Sequence, residues 1–67
     1  MGDEREFIEI SLIDDIIVKV YMRFKDVRHM IYEVEMNNKK FIEIKDIDNI
    51  EMIINVNHIV QIKVQGE

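Results

Sequence analysis

The sequence lacks cysteine, proline, tryptophan, alanine and threonine, and it has only two glycines and one serine among 67 residues. Small secreted domains commonly depend on disulfides, so a chain without cysteine is expected in the cytoplasm. The two glycines, Gly2 and Gly66, lie at the ends of the sequence, which leaves no glycine-rich loop for a phosphate. No apolar run exceeds three residues, whereas a membrane-spanning helix needs about 20. We therefore expect no membrane association.

Residues with catalytic or metal-binding chemistry are equally scarce. Ser11 is the only serine, and neither His29 nor His58 lies near it in the sequence, so a serine triad is not expected. The two histidines fall in different predicted loops. The oxygen-rich segment at 46–51 lacks the glycine turn and the full spacing of a calcium loop. We expect no catalytic residue, metal or cofactor, and the sequence predicts a protein that is not an enzyme.

Length and charge restrict the class of protein further. A chain of 67 residues is expected to form a single small domain, residues 1–67, with a thin core. The net charge is −5, and residues 1–15 alone hold six acids and one base. Non-specific binding to a phosphate backbone requires the opposite sign, so nucleic acid is not an expected partner of this acidic protein.

Hydrophobic residues recur at even positions along most of the chain. Strand side chains alternate between the two faces of a sheet, so this period of two predicts short strands whose even residues share one interior. Isoleucine supplies 14 residues, and β-branched side chains favour strands. The apolar even positions are Ile8, Ile10, Leu12, Ile16, Val18, Val20, Met22, Phe24, Met30, Tyr32, Val34, Met36, Ile42, Ile44, Ile50, Met52, Ile54, Val56, Val60, Ile62 and Val64.

Loops with an odd number of residues keep the even positions on one face from strand to strand. Three-residue loops at 13–15, 25–27, 37–39 and 57–59 satisfy this requirement, whereas the length of the 46–49 connection stays open. The resulting prediction is an all-β antiparallel meander of five to six strands. Such a sheet covers its apolar face by curling into a small barrel of SH3-like or Sm-like size, or by pairing with another copy.

Two alternatives remain at this point. Residues 12–24 also follow a helical period after a capping box that begins at Ser11, which would give an α+β fold with a helix near 12–24. Separately, Asn37-Asn38 could form a two-residue turn, which would place Phe41 inside in place of Ile42 and Ile44. We prefer the three-residue loop because it buries two isoleucines.

The predicted pairing places Phe7, Tyr21 and Ile31 in one outward row across three strands. Beside it, Glu9, Lys19 and Glu33 form a charged row. A contiguous exposed apolar patch usually marks an interface, so we predict protein–protein contacts with a second copy or another protein. The predicted interface residues are Phe7, Ile17, Tyr21, Ile31, Phe41 and Ile53.

One local cluster of basic residues supports a second hypothesis, in which the protein binds nucleic acid or a small anion beside Tyr21. The opposing interpretation, an ordinary solvated face, is favoured. The residues of this predicted anion site are Arg5, Arg23, Lys25, Arg28 and His29. The preferred function is a non-enzymatic interaction module that self-associates or docks on a partner through its outward apolar side chains.

Overall fold

The computed structural model describes residues 4–65, which form five strands and one α-helix. These residues are mostly β, with 48% of them in strands. The elements in chain order are β1 (Glu6–Leu12), β2 (Ile17–Met22), α1 (Phe24–Met36), β3 (Phe41–Lys45), β4 (Glu51–Asn55), a short 3₁₀ helix (Val56–His58) and β5 (Ile59–Gln65).

The strands form two separate antiparallel sheets. The larger sheet has the order β2-β1-β5, and the smaller is the β3-β4 hairpin. These sheets do not close, so the predicted all-β SH3-like or Sm-like barrel is wrong. The meander fails at the last strand, because β5 pairs with β1, about 50 residues away, rather than with β4. The predicted hairpin at 57–59 is replaced by the 3₁₀ helix, which redirects the chain toward β1.

The β1-β2 hairpin has the predicted three-residue loop. The N–H of Leu12 donates to the carbonyl of Ile16 at 2.8 Å, and residues 13–15 close the turn. Asp15 adopts a left-handed conformation with φ 64°, which Asp and Asn tolerate better than most residues. Because the loop is odd, Phe7 faces Tyr21 and Glu9 faces Lys19, as predicted. The alternative helix over 12–24 is wrong, since residues 17–22 form β2 and the helix begins only at Phe24.

The β3-β4 hairpin repeats this turn. Asp46 N–H donates to the carbonyl of Ile50 at 3.0 Å, and Asn49 takes the left-handed conformation with φ 66°. The Asp46 carboxylate also accepts the N–H groups of Asp48 and Ile50, each at 2.9 Å. The connection whose length was open in the sequence is therefore another three-residue loop, 47–49. It pairs Ile42 with Ile54 on the inner face.

Residues 24–36 form a helix where strands were predicted. Phe24, Val27, Ile31 and Val34 recur every three or four residues and face the core, which is the spacing of a helix stripe. No loop forms at 25–27. At 37–39 the chain ends the helix instead of turning a hairpin. Asn38 has φ 56°, and the N–H of Lys39 donates to the carbonyl of Val34 at 2.8 Å, a Schellman ending.

The core is built entirely from β-branched aliphatic side chains. Even-numbered strand residues supply seven of its nine members, the 3₁₀ helix adds Val56, and α1 adds Val27, which is fully buried. The prediction that even residues face the interior is wrong at Val60, which is 64% exposed and lies at a bulge where β5 shifts register against β1. The buried residues are Ile8, Ile10, Val18, Val20, Val27, Ile42, Ile44, Ile54 and Val56.

Candidate interaction surface

An aromatic pair lies on the outer face of the larger sheet. Phe7 on β1 and Tyr21 on β2 are directly opposite each other, and their ring centroids are 4.7 Å apart with the planes tilted by 37°. Their neighbours along each strand, Ile8 and Val20, are fully buried, so strand alternation directs both rings outward. Phe7 is 56% exposed and Tyr21 is 42% exposed. The pair therefore presents two half-covered rings in a fixed arrangement.

Arg5 extends this pair. Its guanidinium carbon lies 5.1 Å from the centre of the Tyr21 ring, within the range of a cation–π contact. Phe7, Tyr21 and arginine are of the residue types that are enriched at protein interfaces and that dominate binding energy there. The ring pair and Arg5 hold one another in place, so a partner would meet a surface that is already ordered.

The tip of the β3-β4 hairpin adds a further exposed apolar side chain to this face. The N–H of Ile47 donates to the carbonyl of Lys19 at 2.9 Å, which joins the tip to the open edge of β2. Ile47 lines one shallow groove together with Phe7, and another together with Ile17. Phe7, Ile17, Tyr21 and Ile47 thus form a surface that we call the outer apolar surface.

A charged row crosses the sheet beside the aromatic pair. Glu9 on the central strand faces Lys19 on one side and Lys63 on the other. Its carboxylate also accepts the side-chain N–H of Gln65 at 2.9 Å. Opposite charges in facing positions stabilise a sheet modestly. This row gives the outer apolar surface a polar border with alternating charge.

The remaining predicted interface residues are dispersed. Phe41 and Ile53 lie on the outer face of the β3-β4 hairpin, where both are exposed. Ile31 does not extend the row of Phe7 and Tyr21, because it lies on α1 and packs half-buried against the core. Glu33 is likewise on α1 and does not join the row of Glu9 and Lys19. Sequence reasoning missed Ile47. The only sequence signal for Ile47 was the polar turn that contains it, because the length of that turn determines where Ile47 lies.

The predicted anion-site residues are also divided between elements. Arg5 precedes β1, Arg23 is the N-cap residue before α1, and the other three bases lie on the helix. Lys25, Arg28 and His29 line one shallow groove with Tyr32. An anion site stays a prediction, and acids beside three of the bases reduce the positive charge. These ion pairs are Arg23–Asp26 at 2.8 Å, Lys25–Glu4 at 3.6 Å and His29–Glu33 at 3.3 Å.

Within residues 4–65, no cluster of three or more histidine or acidic side chains has an arrangement that could hold a metal ion. The same part of the chain contains no helix with the length and hydropathy needed to cross a membrane. No protein-family model, curated protein or solved structure matches this chain. Its function is therefore argued from these residues and their geometry.

Proposed function

We propose that this protein is a non-enzymatic, cytoplasmic interaction module that binds a second copy of itself through the outer apolar surface. The observation that carries the proposal is the number of large apolar side chains that are exposed, compared with the number that are buried. Over residues 4–65, twelve large hydrophobic side chains are exposed and nine hydrophobic residues are buried. Single exposed apolar residues are normal on a surface, but a contiguous group bordered by polar residues is typical of an interface.

The aromatic pair is the part of this surface with most to gain from a partner. A Phe or Tyr side chain buries roughly 150–250 Å² when fully covered, and about half of that remains available on Phe7 and Tyr21. At about 25 cal/mol per Å², covering the rest contributes about 2 to 3 kcal/mol for each ring before association costs. The residues of the pair are therefore the expected centre of the contact.

The charged row supports a second copy as the occupant. Lys19, Glu9 and Lys63 present both signs of charge within one row, so two copies that meet face to face can place the acid of one beside a base of the other. A surface of a single sign would repel its own copy. Association with a different protein through the same residues is the competing outcome of the test.

The test compares one substitution at two exposed tyrosines. Tyr21→Glu places a charge in the proposed contact, whereas Tyr32→Glu places the same charge on an exposed tyrosine of α1. By sedimentation, we expect the wild type to associate and Tyr21→Glu to weaken association by roughly 100-fold, because an unpaired charge would be buried. Phe7→Glu should behave like Tyr21→Glu, and Tyr32→Glu should resemble the wild type.

Circular dichroism of each variant checks that the strands are retained. An unchanged mass distribution for both Phe7→Glu and Tyr21→Glu would contradict self-association through the outer apolar surface. A monomeric wild type whose Tyr21 becomes protected only in the presence of another protein would assign the surface to a different partner.

A further inference from the structure

The last strand is the only strand of the five in residues 4–65 that has no buried residue. Each of β1 to β4 contributes at least one core side chain, yet β5 contributes none, although Val60, Ile62 and Val64 are apolar and alternate. Ile62 and Val64 remain half-buried, and Val60 is 64% exposed. β5 is an edge strand of its sheet, and its apolar side chains are less covered than those of β2, the strand at the other edge.

The hydrogen-bond alternation shows which groups of β5 are open. Leu12 bonds to Ile16, the residue before β2, so the backbone groups of the even residues of β1 point to β2 and those of its odd residues point to β5. In the β1-β5 register, Glu9 faces Lys63, and odd residues of β5 therefore bond to β1. The N–H and C=O groups of Ile62 and Val64 point instead to the open edge. Unpaired backbone groups of this kind are a template for another strand.

Other sheet edges are less suited to this role. On β2, the Lys19 carbonyl already accepts the N–H of Ile47. On β3, pairing with a second copy about its midpoint would set Glu43 against Glu43. On β4, the core-side residue Ile54 is only 3% exposed, so pairing there would cover little additional core-side surface, and the exposed Ile53 lies on the opposite face. Of these edges, that of β5 combines open backbone groups with uncovered apolar side chains.

We infer that β5 pairs antiparallel with β5 of a second copy, about a two-fold axis at Ile62. This contact goes beyond the proposed function, because it lies on a sheet edge and not on the outer apolar surface. Ile62 is the midpoint of Ile59–Gln65, so this register centres the contact on the strand, with the bulge at Val60 toward its ends. It sets Ile62 against Ile62, Val60 against Val64 and Gln61 against Lys63.

The sequence of β5 is compatible with its own reversal. About Ile62, Ile62 opposes Ile62 and Val60 opposes Val64, whereas Ile59 opposes Gln65 and Lys63 meets the neutral Gln61 of the other copy. A register about Lys63 would set two lysines directly opposite each other, which is unfavourable. The two-fold contact is the isologous kind that closes as a dimer. It joins the two larger sheets into one six-stranded sheet with the order β2-β1-β5-β5-β1-β2.

The experiment uses the exposed Gln61, which faces Lys63 of the other copy twice in the dimer. Gln61→Lys creates two like-charge pairs, and Gln61→Glu creates two opposite-charge pairs. We expect the dimer Kd, measured by sedimentation of the full chain, to rise by a factor of about 2 to 30 for the first variant and to fall by a similar factor for the second. Asn57→Lys adds the same charge at an exposed residue outside β5 and should leave the Kd unchanged.

A backbone variant provides an independent measurement. Ile62→Pro removes an N–H that faces the open edge and makes no bond to β1, and proline is tolerated at such edge positions. It should be monomeric while its circular dichroism stays that of the wild type; should it fail to fold, the Gln61 variants decide. A wild type that is monomeric at every concentration, or equal Kd values for the two Gln61 variants, would overturn the pairing.

The two proposals fail in different ways. If the Gln61 variants leave the association unchanged while Phe7→Glu and Tyr21→Glu weaken it, the result would overturn β5 pairing and support the outer apolar surface. If the Gln61 variants change the dimer Kd while both aromatic variants leave it unchanged, the result would support β5 pairing and contradict association through the outer apolar surface.

Discussion

Ile53 and Ile54 are neighbours on β4 that differ mainly in burial, so the same substitution at both separates burial from strand propensity. Ile53 is 70% exposed and Ile54 is 3% exposed. Replacing either with alanine loses the same β-branched strand former. The difference between the two variants therefore reports what the core gains from one isoleucine.

We expect Ile54→Ala to lower the free energy of unfolding by about 2 to 5 kcal/mol, because the lost side chain leaves a cavity that the core fills only in part. Ile53→Ala should cost less than about 1 kcal/mol, mostly through lost strand propensity. At roughly 0.05–0.15 kcal/mol per residue, a chain of this length has a total stability of about 3 to 10 kcal/mol. Ile54→Ala thus removes a large share of it.

Urea unfolding followed by circular dichroism measures both losses, and a thermal scan should place the Tm of Ile54→Ala at least about 8 °C below that of the wild type. The measurements belong at low protein concentration, where association does not cover Ile53. Equal losses at the two positions would refute the assignment of alternate residues of β4 to opposite faces. A loss at Ile53 that grows with concentration would show that another chain covers it.

Two further predictions concern the turns and the helix end. Asp46→Ala removes the acceptor of the Asp48 and Ile50 N–H groups and should cost about 1 to 2 kcal/mol of stability, whereas Asp46→Asn keeps an acceptor oxygen and should cost less; equal losses in urea would mean that these bonds do not stabilise the hairpin. Asn38→Val forces a β-branched residue to φ 56° and should cost about 1 to 2 kcal/mol, whereas Asn38→Gly should be neutral or stabilising; the reverse order would contradict the left-handed helix end.

The alternation of apolar residues predicted much of the sheet because both hairpin loops are odd. Residues 13–15 and 47–49 each add three positions, so even residues stay on the inner face of both strands they join. The register of Phe7 with Tyr21 followed directly. Which residues of two successive strands face the interior is determined locally, and a short turn with one left-handed Asp or Asn is enough to keep even residues on the same face.

The helix was missed because a period of two and a period near 3.6 share residues in its sequence. Met30 and Val34 satisfy both patterns, and the first pattern also included Tyr32 and Met36, which the helix leaves exposed. Asn38 did signal a left-handed residue. A left-handed asparagine occurs both in hairpin turns and at helix ends, and only the packing of Val27 against the sheets distinguishes the two structures here.

The site was predictable to the extent that it depends on local strands. Phe7, Ile17 and Tyr21 were identified from β1 and β2 alone. Ile47 depends on where a distant hairpin tip meets β2, and the pairing of β5 with β1 joins the two ends of the chain. Contacts at such separation leave no periodic trace in the sequence.

The thin core and the open edge of β5 lead to one thermodynamic consequence. A partner that binds only the folded chain raises its stability with concentration, so pairing through β5 would make the Tm rise as the protein is concentrated. At concentrations where the dimer forms, Gln61→Lys should lower the Tm relative to the wild type and Gln61→Glu should raise it. In dilute solution the Tm values of the two variants should converge. Ile54→Ala should lower the Tm at every concentration, because its effect belongs to the single chain. A concentration series of these variants therefore separates what the fold supplies from what association adds.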